Sequence, residues 1–322
     1  MNANAKEKTA RSAGSLLRSY TPILYLVIFV TVAGLFVPNF ASKANFLNIL
    51  KQSAVPIIAC VSMTFILITG NIDLSTGYIV GLVSICCGVM VKTLEFSPAL
   101  TIILCLLIGA AVGACNGLLV TLAEIPSFIV TLGSSLILTG LAQFISQNTS
   151  YHSLPDNFRA FAKAQIGDLP VTIFYALIVV AIAWFVMHRS TYGRCLRSLG
   201  LNAQASRLAG IRGQAAIFST FVISGFLTAL CSILLTIRVN CAQPDMGGGN
   251  FSFEAITAAV IGGTSLMGGE VNIVCCVAGA IIIKCIESCI NILNLNYYMY
   301  QAILGVVILA ALVADGLKNR MK

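Results

Sequence analysis

Charge is what this chain has least of. Only 9% of its 322 residues are Asp, Glu, Lys or Arg, against about 25% in an ordinary soluble domain. Hydrophobic residues make up 58%, and mean hydropathy is +0.95. That balance excludes a water-soluble globular fold and leaves no room for an appended soluble catalytic domain. Histidine is nearly missing, with only His152 and His188. The 12 cysteines contain no CxxC, and most lie inside apolar runs, where Cys behaves as a small hydrophobe. Both facts argue against a zinc site or a disulfide framework. The sequence has no GxxxxGK[ST], no HExxH and no GxSxG, so it carries no phosphate-cradling loop of its own and no recognisable catalytic centre. Asp73, Glu254 and Glu270 are too far apart in sequence to read as an acid–base pair. No catalytic residue, metal or cofactor is therefore expected of this chain. The net charge of +8 does not point to nucleic acid, because the basic residues fall at the ends of apolar runs.

What remains is an all-α polytopic membrane protein. A membrane-crossing helix needs about 20 apolar residues. Charge-free or nearly charge-free intervals occur at 19–42, 52–72, 74–91, 96–123, 125–155, 169–188, 213–237, 255–269, 271–290 and 297–314. About ten transmembrane helices follow, with both termini on one side. The run from Thr21 to Pro38 is too long for a cleaved signal peptide and ends in bulky residues, so it reads as the first span. Twelve of the 19 Lys and Arg lie in the 1–20 arm, the 189–213 loop and the C-terminus, which makes that side cytoplasmic. The domain plan is a cytoplasmic arm at 1–20, a transmembrane domain at 21–315 and a tail at 316–322. The outer loops are 147–170 and 239–252, the second flexible by its Met-Gly-Gly-Gly composition.

The longest polar interval is TYGRCLRSLGLNAQASRLAGIRG at 191–213. Asn202 suits a helix N-cap, Ala203 to Ala209 a short helix, and Gly210 a left-handed C-cap. With Arg194, Arg197, Arg207 and Arg212 and no acidic residue, it reads either as a docking knob or as a solvated cytoplasmic loop. Two stretches break the span pattern. In GNIDLSTG at 70–77 a carboxylate, Asp73, sits at or near the membrane. Such a group faces a cavity or partner, or caps the next helix in a tight turn. VIGGTSLMGGE at 260–270 matches it at Gly70, Leu74 and Gly77 with an offset of 192, which makes an internal repeat a candidate. Broken or short helices are expected near 70–77 and 255–269. Lys284 and Glu287 are three apart and can pair. Asn116, Asn291, Asn294, Asn296 and Gln301 add polar groups near span ends.

Four ordered motifs, GNIDLSTG at 70–77, PSFIVTLG at 126–133, YGRCLRSLGLNAQASRLAGI at 192–211 and EAITAAVIGGTSLMGGEVN at 254–272, carry a resemblance that runs from about Asn45 to Asp315. The chain resembles the membrane-spanning permease subunits of bacterial sugar ATP-binding-cassette (ABC) importers of the ribose, xylose, arabinose and galactose type, nearest its ribose members. The resemblance implies a permease in the bacterial cytoplasmic membrane that moves a monosaccharide inward and pairs with itself or a sister permease. It would be driven by a separate ABC ATPase, which holds ATP and Mg, and fed by an extracytoplasmic sugar-binding protein. It implies that Arg194, Gly200, Asn202, Ala205, Arg207, Ala209 and Gly210 form the ATPase-coupling helix and its surrounds, with the small residues permitting close approach of the partner. Asn71, Asp73, Ser75, Asn116, Ser265 and Asn291 are the candidate translocation-pathway residues. The sequence departs from the family pattern at Asn71, at Glu270-Val271-Asn272 and at Cys289-Ile290-Asn291. The alternatives are a same-family permease for a modified sugar or furanose signal, a gradient-driven secondary transporter, and an intramembrane enzyme.

Overall fold

The computed structural model describes residues 21–320; the 1–20 arm and the last two residues of the 316–322 tail lie outside the described residues. Thirteen helices follow in chain order among the described residues: α1 (Thr21–Phe36), α2 (Lys43–Leu67), α3 (Thr76–Lys92), α4 (Pro98–Leu122), α5 (Ser127–Ser146), α6 (Asp156–Lys163), α7 (Val171–Arg189), α8 (Thr191–Leu201), α9 (Ala203–Leu208), α10 (Gly213–Val239), α11 (Gly248–Ile261), α12 (Ile273–Ile292) and α13 (Tyr297–Arg320). Helices α2, α4, α5, α7, α10 and α12 are long and apolar enough to cross a membrane, and α1, α3 and residues 298–310 of α13 are shorter apolar helices. The chain is an all-α polytopic membrane protein. Each of the ten apolar intervals holds a helix, the 14-residue α11 occupying the eighth.

Helices α2 and α10 are the most buried of the long helices, and α7 is the least. The outward faces of α5 and α7 carry exposed Leu136, Phe144 and Phe185, the apolar surface a lipid tail would cover. In lipid, helices associate through close packing rather than hydrophobic burial, and α4 and α10 show how. Gly109, Gly113 and Gly117 of α4 lie one turn apart. A Cβ on Gly113 would stand 2.2 Å from the Phe221 carbonyl oxygen, and one on Gly109 2.5 Å from that of Gly225. Only glycine lets the two backbones meet.

The broken helices are where the sequence placed them, with shifted boundaries. Residues 71–75 are nonhelical between α2 and α3. Helix α11 begins at Gly248, earlier than the expected 255, and ends at Ile261 before an irregular 262–272 segment. The 239–252 stretch, expected to be flexible, is packed, and from Gly248 it is helical. Residues 243–247 fold back along α3, where a Cβ on Gly81 would lie 2.3 Å from the Pro244 carbonyl oxygen and one on Gly77 1.7 Å from that of Gly248. The Gln243 N–H donates to Ser84 Oγ (3.2 Å), and Met246 is buried. In element order, a long helix, a nonhelical break and a shorter helix occur as α2–α3 and again as α10–α11.

The 147–170 segment is structured. Tyr151–His152 (β1) pairs antiparallel with Cys241–Ala242 (β4), and Gln165–Ile166 (β2) with Leu169–Pro170 (β3). Helix α6 buries Phe158 and Ala162.

Candidate functional site

At one end of the bundle, α8 and α9 build a protruding knob. Ser190 Oγ caps α8 by accepting from the Gly193 N–H (3.1 Å). Asn202 Oδ1 caps α9 by accepting from the Ala205 N–H (2.9 Å). Gly210, with φ +80°, closes α9 in a Schellman motif: Gly210 N–H donates to Arg207 O (3.0 Å) and Ile211 N–H to Ser206 O (3.1 Å). Both expected caps are present, while α8 falls where the sequence suggested only loop. Ala205, Arg207 and Ala209 are exposed, Leu208 86% so, and Ser206 is the one buried residue of α9. Arg194 and Arg212 are also exposed. Arg197 turns inward instead. Its Nε and Nη2 are buried without a partner among the described residues, and burial holds its guanidinium below the usual arginine range.

Gly200 faces the interior of this same chain, not outward. A Cβ there would sit 2.0 Å from Ile68 O and 2.3 Å from Gly269 N, and the Gly269 N–H itself donates to Ile68 O (2.9 Å). The end of α2, the end of α8 and the 262–272 segment therefore meet backbone to backbone. Ser265 belongs to that segment: its carbonyl accepts from Gly268 N–H (3.2 Å) and its hydroxyl from Met267 N–H (3.3 Å).

Just inward of this junction lies the break between α2 and α3. Nonhelical backbone at membrane depth is tolerated where protein satisfies it, and here hydroxyls do so. Ile72 N–H donates to Ser127 Oγ and Leu74 N–H to Thr131 Oγ1, each at 3.1 Å. Ser252 Oγ donates to Leu74 O (3.0 Å) and accepts from Gly77 N–H and Thr76 Oγ1 (2.9 Å each). Asn116 Nδ2 donates to Ser75 Oγ (2.9 Å), which donates to Asp73 Oδ1 (2.6 Å); that oxygen also accepts from Ser75 N–H (2.8 Å). Asp73 is 0% exposed, and its Oδ2 has no partner among the described residues. Asp73, Ser75 and Asn116 are thus one connected cluster. Asn71 lies beside it, bonded through Nδ2 to Thr69 Oγ1 (2.9 Å).

The chain matches the family model described as branched-chain amino acid transport system / permease component over residues 45–312. The chain belongs to this permease family. It is 33% identical over 306 residues to the ribose import permease protein of Haemophilus influenzae, covering 94% of each chain. It is 32% identical to the D-allose transport system permease protein of Escherichia coli, covering 99% of this chain and 98% of that one. A third relative, the autoinducer 2 import system permease protein of Yersinia pestis, is 29% identical over 93% of this chain and 85% of the relative. No solved structure matches the chain significantly.

In this permease the remaining candidate, Asn291, is not with the Asp73 cluster. It lines a cavity of about 190 Å³ between the first turns of α2 and the last turns of α12. Beside it, Lys284 pairs with Glu287 as expected (2.5 Å) and also lies 3.7 Å from Glu254 Oε2. Tyr300 Oη donates to Glu254 Oε1 (2.8 Å), so the charge group joins α11, α12 and α13. Sequence reasoning missed Ser127, Thr131 and Ser252. Their hydroxyls are unremarkable in sequence and become partners of the break only through contacts 55 to 178 residues apart.

Proposed function

We propose that this permease is the translocation subunit of an ABC importer that carries a monosaccharide, ribose-like or a hexose, into the cytoplasm. The observation that carries the coupling half of this reading is the α8–α9 knob. It is doubly capped, exposed at Ala205, Leu208 and Ala209, and seated backbone to backbone on the α2 terminus and the 262–272 segment. A rigid projection with small residues suits insertion into a cleft of a cytoplasmic ABC ATPase, which would hold ATP and Mg. Its seat gives ATPase motion a direct route to the broken helix before Asp73. The knob end is then cytoplasmic, with ten spans returning both termini to that side. The opposite end, with the β1–β4 pair and α6, receives a sugar-binding protein, and a second permease copy, identical or sister, completes the pathway.

The sugar half rests on the relatives, whose names specify ribose, D-allose and autoinducer 2. The third name favours one second reading, a modified furanose as cargo, and a competitive uptake panel separates the two. The decisive test replaces Ala205 and Ala209 with Glu. Substrate-stimulated ATP hydrolysis by the co-purified complex is expected to be abolished while the permease still reaches the membrane. Normal stimulation in that variant overturns the coupling assignment. Uptake that persists without any ATPase and disappears with the ion gradient overturns the importer reading in favour of a secondary transporter.

A further inference from the structure

The cavity at Asn291 has a chemistry that the coupling reading does not use. Two helix faces build it. On α2, Asn45, Asn48 and Gln52 follow at i, i+3 and i+7; on α12, Lys284, Ser288 and Asn291 follow at i, i+4 and i+7. Those spacings put each set on one face of its helix. The mouth is rimmed by exposed Asn48 and Asn291, and the interior narrows to half-buried Gln52 and Asn45 and to Ser288. Asn45 lies about 35 Å along α2 from Ile68 at 1.5 Å per residue, so the cavity opens at the end opposite the knob.

Its bonding is partly self-satisfied and partly open. Ser288 Oγ donates to Asn45 Oδ1 (2.7 Å), Asn45 Nδ2 to Phe40 O (2.9 Å), and Gln52 Nε2 to Asn48 Oδ1 (3.0 Å). Left over among the described residues are the Asn48 Nδ2 donors, the Gln52 Oε1 acceptor and the whole Asn291 amide. Neutral amides offer donors and acceptors together, which is what a ring of hydroxyls needs. An anion is disfavoured, because Lys284, the one cation among the described lining residues, already faces Glu287 and Glu254. A metal ion is disfavoured, because the described lining holds the cationic Lys284 and no carboxylate to offset a cation's charge. An aliphatic cargo would leave the amides unpaired, and Ile49 and Ile292 are the apolar side chains among the described lining residues. At ~30 Å³ per water the volume holds about six waters, the size class of a single sugar ring. No aromatic face is among the described lining residues for stacking, so affinity is low, as a site on a path must be if cargo is to leave it.

We propose that the α2–α12 cavity is a low-affinity monosaccharide site on the permease itself, at its extracytoplasmic end, with Asn48, Gln52 and Asn291 bonding ring hydroxyls. It rests on the import reading above and adds to it a place where cargo lodges. The test is saturation-transfer NMR on the full chain in nanodiscs with D-ribose and D-allose at millimolar concentration, and with cyclohexanol as a ring of similar size carrying one hydroxyl. The expected result is ring-proton signals for both sugars that fall about fivefold or more, the equivalent of one to two lost hydrogen bonds, in Asn48→Leu/Asn291→Leu. The near-isosteric Gln52→Met, which removes only polar atoms, should lower them too. Equal signals in wild type and both variants overturn the site, as does cyclohexanol binding that matches the sugars and responds to the same substitutions. Uptake by the assembled complex is read separately. Import by wild type without a cavity signal sinks the cavity and leaves import standing; a variant-sensitive signal without import supports the cavity and sinks the import reading.

Discussion

Gly200→Ala tests whether the knob is mechanically seated on the bundle. The added methyl would stand 2.0 Å from Ile68 O and 2.3 Å from Gly269 N, so backbone must move by about 1 Å or more to reach even the closest contact that real Cβ atoms show. Overpacking of this kind costs about 1–3 kcal/mol. The displacement also stretches the Gly269 N–H to Ile68 O bond, worth about 0.5–1.5 kcal/mol net. A loss of roughly 2–4 kcal/mol corresponds to a fall in Tm of about 3–6 °C for a chain of this size. Because the strain falls between α8 and its two supports, substrate-stimulated ATP hydrolysis by the complex should drop severalfold even where the variant is fully folded. Fluorescence-detected thermal melts and ATPase assays on the same preparations read both effects. Gly210→Ala is the control: no atom lies within 4 Å of its Cβ position, and its cost is the left-handed strain of about 1–2 kcal/mol, confined to exposed α9. A Gly200→Ala variant with wild-type Tm and wild-type stimulation would falsify the seat.

Three further substitutions probe the break and the charge group. Asp73→Asn keeps the Oδ1 acceptor for Ser75 and replaces only the unbonded oxygen, so stability should stay within about 1 kcal/mol, whereas Asp73→Ala loses roughly 2 kcal/mol with its two bonds. Uptake retained by Asp73→Asn fits an ATP-driven permease, and uptake lost in a well-folded Asp73→Asn variant points to a carboxylate relay. Ser252→Ala orphans Leu74 O and Gly77 N together and should cost about 1–3 kcal/mol, far more in a thermal melt than Ser53→Ala, whose hydroxyl bonds only within its own helix; equal melts refute the clamp. Lys284→Met leaves Glu254 and Glu287, 19% and 23% exposed, without their ion-pair partner, with only Arg238 among the described residues still acting on Glu287. Breaking such a mostly buried group should cost roughly 2–4 kcal/mol after allowing for that exposure, and adding Glu254→Gln and Glu287→Gln should restore most of the melting temperature.

The parts legible in the sequence share one physical trait, that their cause lies within a few residues. Apolar intervals mark spans because lipid demands about 20 uninterrupted residues. Asn202 and Gly210 mark α9 because caps act across three or four positions. The Lys284–Glu287 pair was readable for the same reason. Helix α8 was not, since TYGRCLRSLGL has too mixed a pattern for a span and its fold depends on tertiary support, including the Tyr192 Oη to Ser219 Oγ bond (2.7 Å). The role of Gly200 was misjudged because a small residue beside a docking helix suggests an approaching partner, and only the fold shows that Ile68 and Gly269 of the same chain already occupy that space.

The 239–252 stretch shows the same limit from the other direction. Met-Gly-Gly-Gly suggests flexibility when glycine is read through its own backbone freedom, and Gly247 does adopt φ +89°. Its function is set instead by α3, whose Gly77 and Gly81 remove the side chains that would hold the returning strand away. Glycines on both sides of a contact make a close approach rather than a loose loop. The spacing Gly109, Gly113 and Gly117 was an equivalent signal, four residues apart on one face of a span, and it marks the α4–α10 interface that the structure shows. Glycine placed at a helical period therefore identifies where two backbones meet, and in this permease those meetings occur at the α4–α10 interface, at the α3 break and under the knob.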